Sequence, residues 1–161
     1  MHRLSAFAVG VSIAATLVST PQAALAQSSD ESDGPNAAIY SLRNVATRNC
    51  VDNDPNWSGV ITRGCNGGNN QRFEERPGKS NGYVLLKNLA TGNCLDNDTY
   101  QGHIMARGCN ADNEYQNWTR VGATLRNLKT GACLDDDPNH KYLLARGCNG
   151  GTNQDWEFPT R

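Results

Sequence analysis

One unit of about forty residues is written three times in this chain, and that repetition limits the available folds more than any other feature. Asn44 to Phe73 reads NVATRNCVDNDPNWSGVITRGCNGGNNQRF, Asn88 to Trp118 reads NLATGNCLDNDTYQGHIMARGCNADNEYQNW, and Asn127 to Trp156 reads NLKTGACLDDDPNHKYLLARGCNGGTNQDW. Over the nine residues ending at the C-x-D aspartate, the second and third copies share seven and the first and second share six. A unit this short cannot bury a core alone, so the copies must pack on one another.

Each copy carries two cysteines at the same separation: 50 and 65, 94 and 109, 133 and 148. Six cysteines allow fifteen pairings. Treating every copy alike leaves Cys50–Cys65, Cys94–Cys109 and Cys133–Cys148. Each bridge then closes a loop worth ~3 kcal/mol in the chain-entropy model. No C-x-x-C pair is present and histidine is scarce, so a metal site is not expected.

The local patterning is that of strands. YSLRNV, YVLLKNL and ATLRNL are short, β-branched or aromatic, and bounded by turn residues. VIT, HIMA and YLLA precede each R-G-C as further short strands. Each copy closes on Gln-x-aromatic: Gln71 with Phe73, Gln116 with Trp118, Gln154 with Trp156. Side chains two apart on a strand share a face, so both are expected to point inward, the ring into the core and the amide onto backbone groups. Four strands per copy predict an all-β domain of about twelve strands. With 37% hydrophobic residues, 16 glycines and few strong helix formers in the repeats, a helical bundle is excluded.

The first 36 residues read differently. His2 and Arg3, an uncharged apolar run over 4–18, and Ala24-Leu25-Ala26 form the pattern of a secretory signal peptide over 1–26. Residues 27–36 (QSSDESDGPN) read as a disordered linker, leaving a domain at 37–161. A secreted, extracellular protein fits the disulfides. Fifteen basic residues against sixteen acidic give a net charge of −1. That balance argues against nucleic acid or an anionic membrane as partner, and the apolar run is too short for membrane insertion.

Three C-[VL]-D motifs in register with three Q-x-[WF] motifs resemble the ricin B-chain type β-trefoil lectins, and the C-N-G-G-x-x-Q-x-W pattern is similar to small single-domain lectins of the actinohivin kind. The resemblance spans residues 39–158. It implies a β-trefoil with pseudo-threefold symmetry and up to three shallow glycan pockets, with no cofactor and no metal. A carboxylate can accept two vicinal sugar hydroxyls, an amide adds a donor and an acceptor, and an aromatic ring covers the apolar face. The candidates are Asp52, Asp96 and Asp135 for the carboxylate, and Asn66, Asn110 and Asn149 for the amide. Ricin-like members also use the residue before the motif glutamine, here Asn70, Tyr115 and Asn153. The second copy is the weakest candidate, with Ala111-Asp112 for a glycine pair and one extra residue before Gln116.

The aromatic role departs from the pattern. Where ricin-like sites place a stacking ring, two residues before the second cysteine, this chain has Arg63, Arg107 and Arg146. Trp57, Tyr100 and Tyr142 (or His140) in the preceding loops take over the stacking role. Two roles stay open for the arginines: contact with sugar, or an ion pair to a C-x-D or C-x-D-x-D carboxylate that shuts the pocket. Asp54, Asp98 and Asp137 read as turn caps, and His103 and His140 as solvated. The leading function is carbohydrate binding without catalysis. The alternative is an interaction or inhibitor protein, its sugar pockets closed by Arg–Asp pairs, that binds another protein. No G-x-S-x-G, H-E-x-x-H or plausible Ser/His/Asp set supports an enzyme.

Overall fold

A computed structural model describes residues 37–160. The expected signal peptide and linker, residues 1–26 and 27–36, lie outside the described residues. The first copy contributes β1 (Ile39–Tyr40), β2 (Arg43–Asn44), β3 (Asn49–Asp52), β4 (Ile61–Gly64) and β5 (Phe73–Pro77). The second contributes β6 (Val84–Asn88), β7 (Asn93–Asp96), β8 (Met105–Gly108) and β9 (Trp118–Val121). The third contributes β10 (Thr124–Asn127), β11 (Cys133–Asp135), β12 (Leu144–Arg146) and β13 (Trp156–Glu157). All strand pairings are antiparallel, in a nine-stranded and a four-stranded sheet. The three expected disulfides are formed.

The core is built in triplets, one residue from each copy. Leu42, Leu86 and Leu125 form one set; Val51, Leu95 and Leu134 another; Val60, Ile104 and Leu143 a third; Phe73, Trp118 and Trp156 the last. On the pseudo-threefold axis the backbone closes a ring of hydrogen bonds. Val60 N donates to the Ile104 carbonyl (3.0 Å), Ile104 N to Leu143 (2.8 Å), and Leu143 N to Val60 (2.8 Å). Gly59 is required beside this ring, because a Cβ there would meet His103 Cδ2 at 2.6 Å.

The copies are joined by the asparagine that opens each one. The closing aromatic of one copy lies opposite the opening asparagine of the next: Phe73 opposite Asn88, Trp118 opposite Asn127, and Trp156 opposite Asn44. Those asparagines are buried. Asn88 Nδ2 donates to the carbonyls of Asn70 (2.9 Å) and Arg72 (3.3 Å), while its Oδ1 accepts from Ala90 N and Thr91 N. Asn44 and Asn127 repeat the arrangement. One side chain thus satisfies backbone groups on both sides of a junction, where orphaned polar groups are costly. The following turn needs a left-handed residue, supplied by Gly92 (φ 72°) and Gly131 (φ 67°), with Arg48 (φ 62°) in the first copy.

The motif glutamines are buried as expected, but by a different geometry. Gln71, Gln116 and Gln154 end short 3-10 turns rather than sitting on strands. The Asn- and Gly-rich segments before them favour turns over extended chain. We predict that Asn127→Leu, which strands the backbone groups of one junction, lowers stability by about 3 kcal/mol or more in urea melts. Val121→Ala, at an exposed position, should change it by less than about 0.5 kcal/mol.

Candidate functional site

The repeated chemistry gathers at the end of the second strand of each copy. Asp52, Asp96 and Asp135 close β3, β7 and β11 and are 0% exposed. Each is held by its motif glutamine. Gln71 Nε2 lies 3.0 Å from Asp52 Oδ2, Gln116 Nε2 3.0 Å from Asp96 Oδ2, and Gln154 Nε2 2.8 Å from Asp135 Oδ2. The same amides donate to the carbonyls of Gly64, Gly108 and Gly147. Their oxygens accept from the backbone N–H of Asn66, Asn110 and Asn149. The glutamine therefore ties the carboxylate to the segment after the second cysteine.

A second amide reaches each carboxylate. Asn70 Nδ2 donates to Asp52 Oδ2 (2.8 Å) and Asn153 Nδ2 to Asp135 Oδ1 (2.7 Å). In the second copy the partner is Asn113 (3.0 Å), not Tyr115. The extra residue before Gln116 shifts the register, and Asn113 caps the 3-10 turn while reaching the acid. The second copy therefore keeps the same acid–amide arrangement despite its altered sequence. Asn113 stands three residues before its glutamine, where Asn70 and Asn153 stand one before theirs, and allowing for the one inserted residue reaches only Glu114, so register counting does not find it.

The carboxylates differ in one respect. In the first two copies both amides fall on Oδ2, and Oδ1 of Asp52 and Asp96 is buried without a partner. In the third, the two amides occupy both oxygens of Asp135. Each carboxylate keeps acceptor positions that its two amides do not use.

The arginines do not pair with these acids. Arg63 lies 3.2 Å from Asp54, Arg107 2.7 Å from Asp98, and Arg146 2.8 Å from Asp137. The expected ion pairs are therefore formed to the C-x-D-x-D carboxylates and not to the C-x-D aspartates, whose pairing would have favoured the interaction-protein reading. The outer aspartates cap turns as expected, accepting from the N–H of Asn56, Tyr100 and Asn139 two residues on. Those backbone bonds, with the guanidinium groups adding to them, hold the three carboxyls below the usual range. Asn66, Asn110 and Asn149 sit exposed, their Oδ1 accepting from Gly68, Asp112 and Gly151 N.

The aromatic residues are not distributed one per site. Tyr100 stands 89% exposed. Trp57 and Tyr142, from different copies, flank one ammonium: Lys141 Nζ is 4.3 Å from the Trp57 ring centre and 5.2 Å from that of Tyr142. Tyr142 stacks on His103 at 4.4 Å and its hydroxyl lies 3.2 Å from Ser58 Oγ. His103 is thus packed rather than solvated, with a buried Nε2. His140 meets Arg146 Nη2 at 2.8 Å.

Strand order, triplet core and triplicated acid–amide sites define a β-trefoil. A family model described as the ricin-type beta-trefoil lectin domain matches residues 38–156, and the chain belongs to that family. The designed threefold-symmetric protein ThreeFoil is 19% identical with a TM-score of 0.67, over 76% of this chain and 99% of that one. A Clostridium perfringens endo-β-galactosidase releasing GlcNAcα1-4Gal is 18% identical with a TM-score of 0.70, over 78% of this chain but only 34% of the enzyme. SeviL, solved bound to asialo-GM1 saccharide, is 12% identical with a TM-score of 0.62, over 76% and 97%. The comparison with curated proteins gave no match.

Carboxyls with lowered values stabilise the fold above the ordinary carboxylate range, and that contribution is lost as pH falls through the folded value. We therefore predict a urea midpoint that holds between about pH 7 and 5 and declines below about pH 4. In D54N/D98N/D137N, which keeps the turn-capping oxygen but cannot titrate, the decline should be shallower.

Proposed function

We propose that this is a secreted carbohydrate-binding protein with no chemistry of its own. Its proposed sites are the three acid–amide clusters: Asp52 with Asn66 and Asn70, Asp96 with Asn110 and Asn113, and Asp135 with Asn149 and Asn153. The observation that carries the reading is a carboxylate gripped by two side-chain amides in every copy, with Oδ1 of Asp52 and Asp96 buried and paired to no protein donor. When the Asn70 or Asn113 amide turns aside, a sugar hydroxyl can donate to that oxygen, and a charge-assisted bond is stronger than a neutral one. The half-buried amides of Asn70 and Asn113 stand beside these acids and supply further donors and acceptors. Trp57 and Tyr100, exposed in the adjoining loops, offer rings for the apolar face of a saccharide. Membership of a lectin family and three bridged loops suited to an oxidising compartment support the reading.

Single shallow sites of this kind bind at about millimolar strength, ~4 kcal/mol. Engaging a branched glycan at two or more of them gains roughly 10²–10⁴ through avidity. The third site, where each oxygen of Asp135 keeps one acceptor position instead of one oxygen keeping both, is expected to contribute least. On a glycan array, D52N and D96N should each weaken binding, and the double variant should lose it at least about tenfold, with circular dichroism unchanged. D135N should have the smallest effect. A double variant that binds like the parent contradicts the assignment.

A further inference from the structure

The seam between the third and first copies breaks the threefold pattern at two positions that touch each other. At the other two seams a neutral pair closes the joint: Asn53 Nδ2 donates to Thr91 Oγ1 at 2.7 Å, and Asn97 Nδ2 to Thr130 Oγ1 at 2.8 Å. At the third seam the asparagine is replaced by Asp136, which accepts from the Thr47 hydroxyl on Oδ2. A second hydroxyl, Thr62 Oγ1, reaches Oδ1 at 2.7 Å. The positions equivalent to Thr62 in the other copies are Ala106 and Ala145. Asp136 is only 6% exposed. Burying a carboxylate is costly even when it is hydrogen bonded, and asparagine closes the same joint twice in this molecule. Joining the copies therefore does not account for the acid.

What distinguishes this seam is the space above it. Asp136 and Thr62 line a cleft of about 530 Å³, within the roughly 300–1,000 Å³ of small-molecule sites. Asn49 and Lys141 also line it, and Ala46 and Pro138 supply apolar wall. Lys141 is held there against the rings of Trp57 and Tyr142. A carboxylate offers about four acceptor positions, and the two threonines use two of them. The remaining acceptors, the polar lining residues and the small apolar walls match the edge and face of a hydroxylated ring.

We propose that this cleft is a fourth saccharide subsite, formed jointly by the first and third copies, in which Asp136 accepts hydroxyls of a neutral pyranose. The proposal rests on the carbohydrate reading for its ligand class, but, apart from Trp57, on none of the residues of the three repeated sites.

The variant D136N/T62A tests it without risk to the joint, since it restores the pattern of the other two seams. Amide chemical shifts of the parent and the variant are followed on titration with methyl α-galactoside, methyl α-mannoside and methyl α-glucoside. The expected result is a saturable shift at Thr47, Thr62 and Asp136 with at least one glycoside, weakened about tenfold or more in the variant. D136N alone should show the same loss. Shifts confined to Asn66, Asn70, Asn110 and Asn113 would overturn the seam site and leave the carbohydrate reading standing. Seam shifts of equal strength in the variant would overturn the role of Asp136. No shift at either place with any of the three would overturn both.

Discussion

The structure depends on side-chain amides standing in for backbone partners. Repeats joined by tight turns leave N–H and C=O groups that no sheet ladder reaches, and in a closed interior these must be paired. Asn44, Asn88 and Asn127 bridge each junction, and Gln71, Gln116 and Gln154 do the same beneath each second cysteine. The four hydrophobic triplets supply burial, but they are nearly interchangeable aliphatic and aromatic residues. The amides fix how each copy meets the next and where each loop lies.

The same network creates the candidate sites. The glutamine that closes the loop also grips the C-x-D carboxylate, so the acid is fixed by the fold rather than by an ion pair. The arginines are directed outward to Asp54, Asp98 and Asp137, which are already committed to turns. This division of labour leaves Oδ1 of Asp52 and Asp96 buried without a protein donor. A rigid, preorganised acceptor suits weak, repeated recognition, where strength comes from engaging several sites at once.

Much of this was legible in the sequence because it is repeated. Cysteine spacing, read with the threefold repetition, gave the bridges, and the resemblance carried by the C-x-D and Q-x-[WF] motifs implied the trefoil. The glutamine–aromatic pairs marked residues that the structure buries, although a strand rule was the wrong reason for it: the Asn- and Gly-rich approach makes a 3-10 turn. The opening asparagines were visible only as identities, because their partners lie across a junction in another copy. What broke the repetition was least legible. Asn113 reaches its acid from two positions further back than Asn70 or Asn153, and Tyr142 left its own copy to stack on His103. Asp136 with Thr62 makes sense only when the first and last copies meet.

The central claim is that the amide-held carboxylates are the sugar acceptors. A crystal structure of the domain with a bound oligosaccharide tests it most directly. The account predicts a ring hydroxyl within hydrogen-bonding distance of Oδ1 of Asp52 or Asp96, with the glutamine bond to Oδ2 retained. Saccharide held elsewhere, with both carboxylates still sealed beneath their amides, would contradict it.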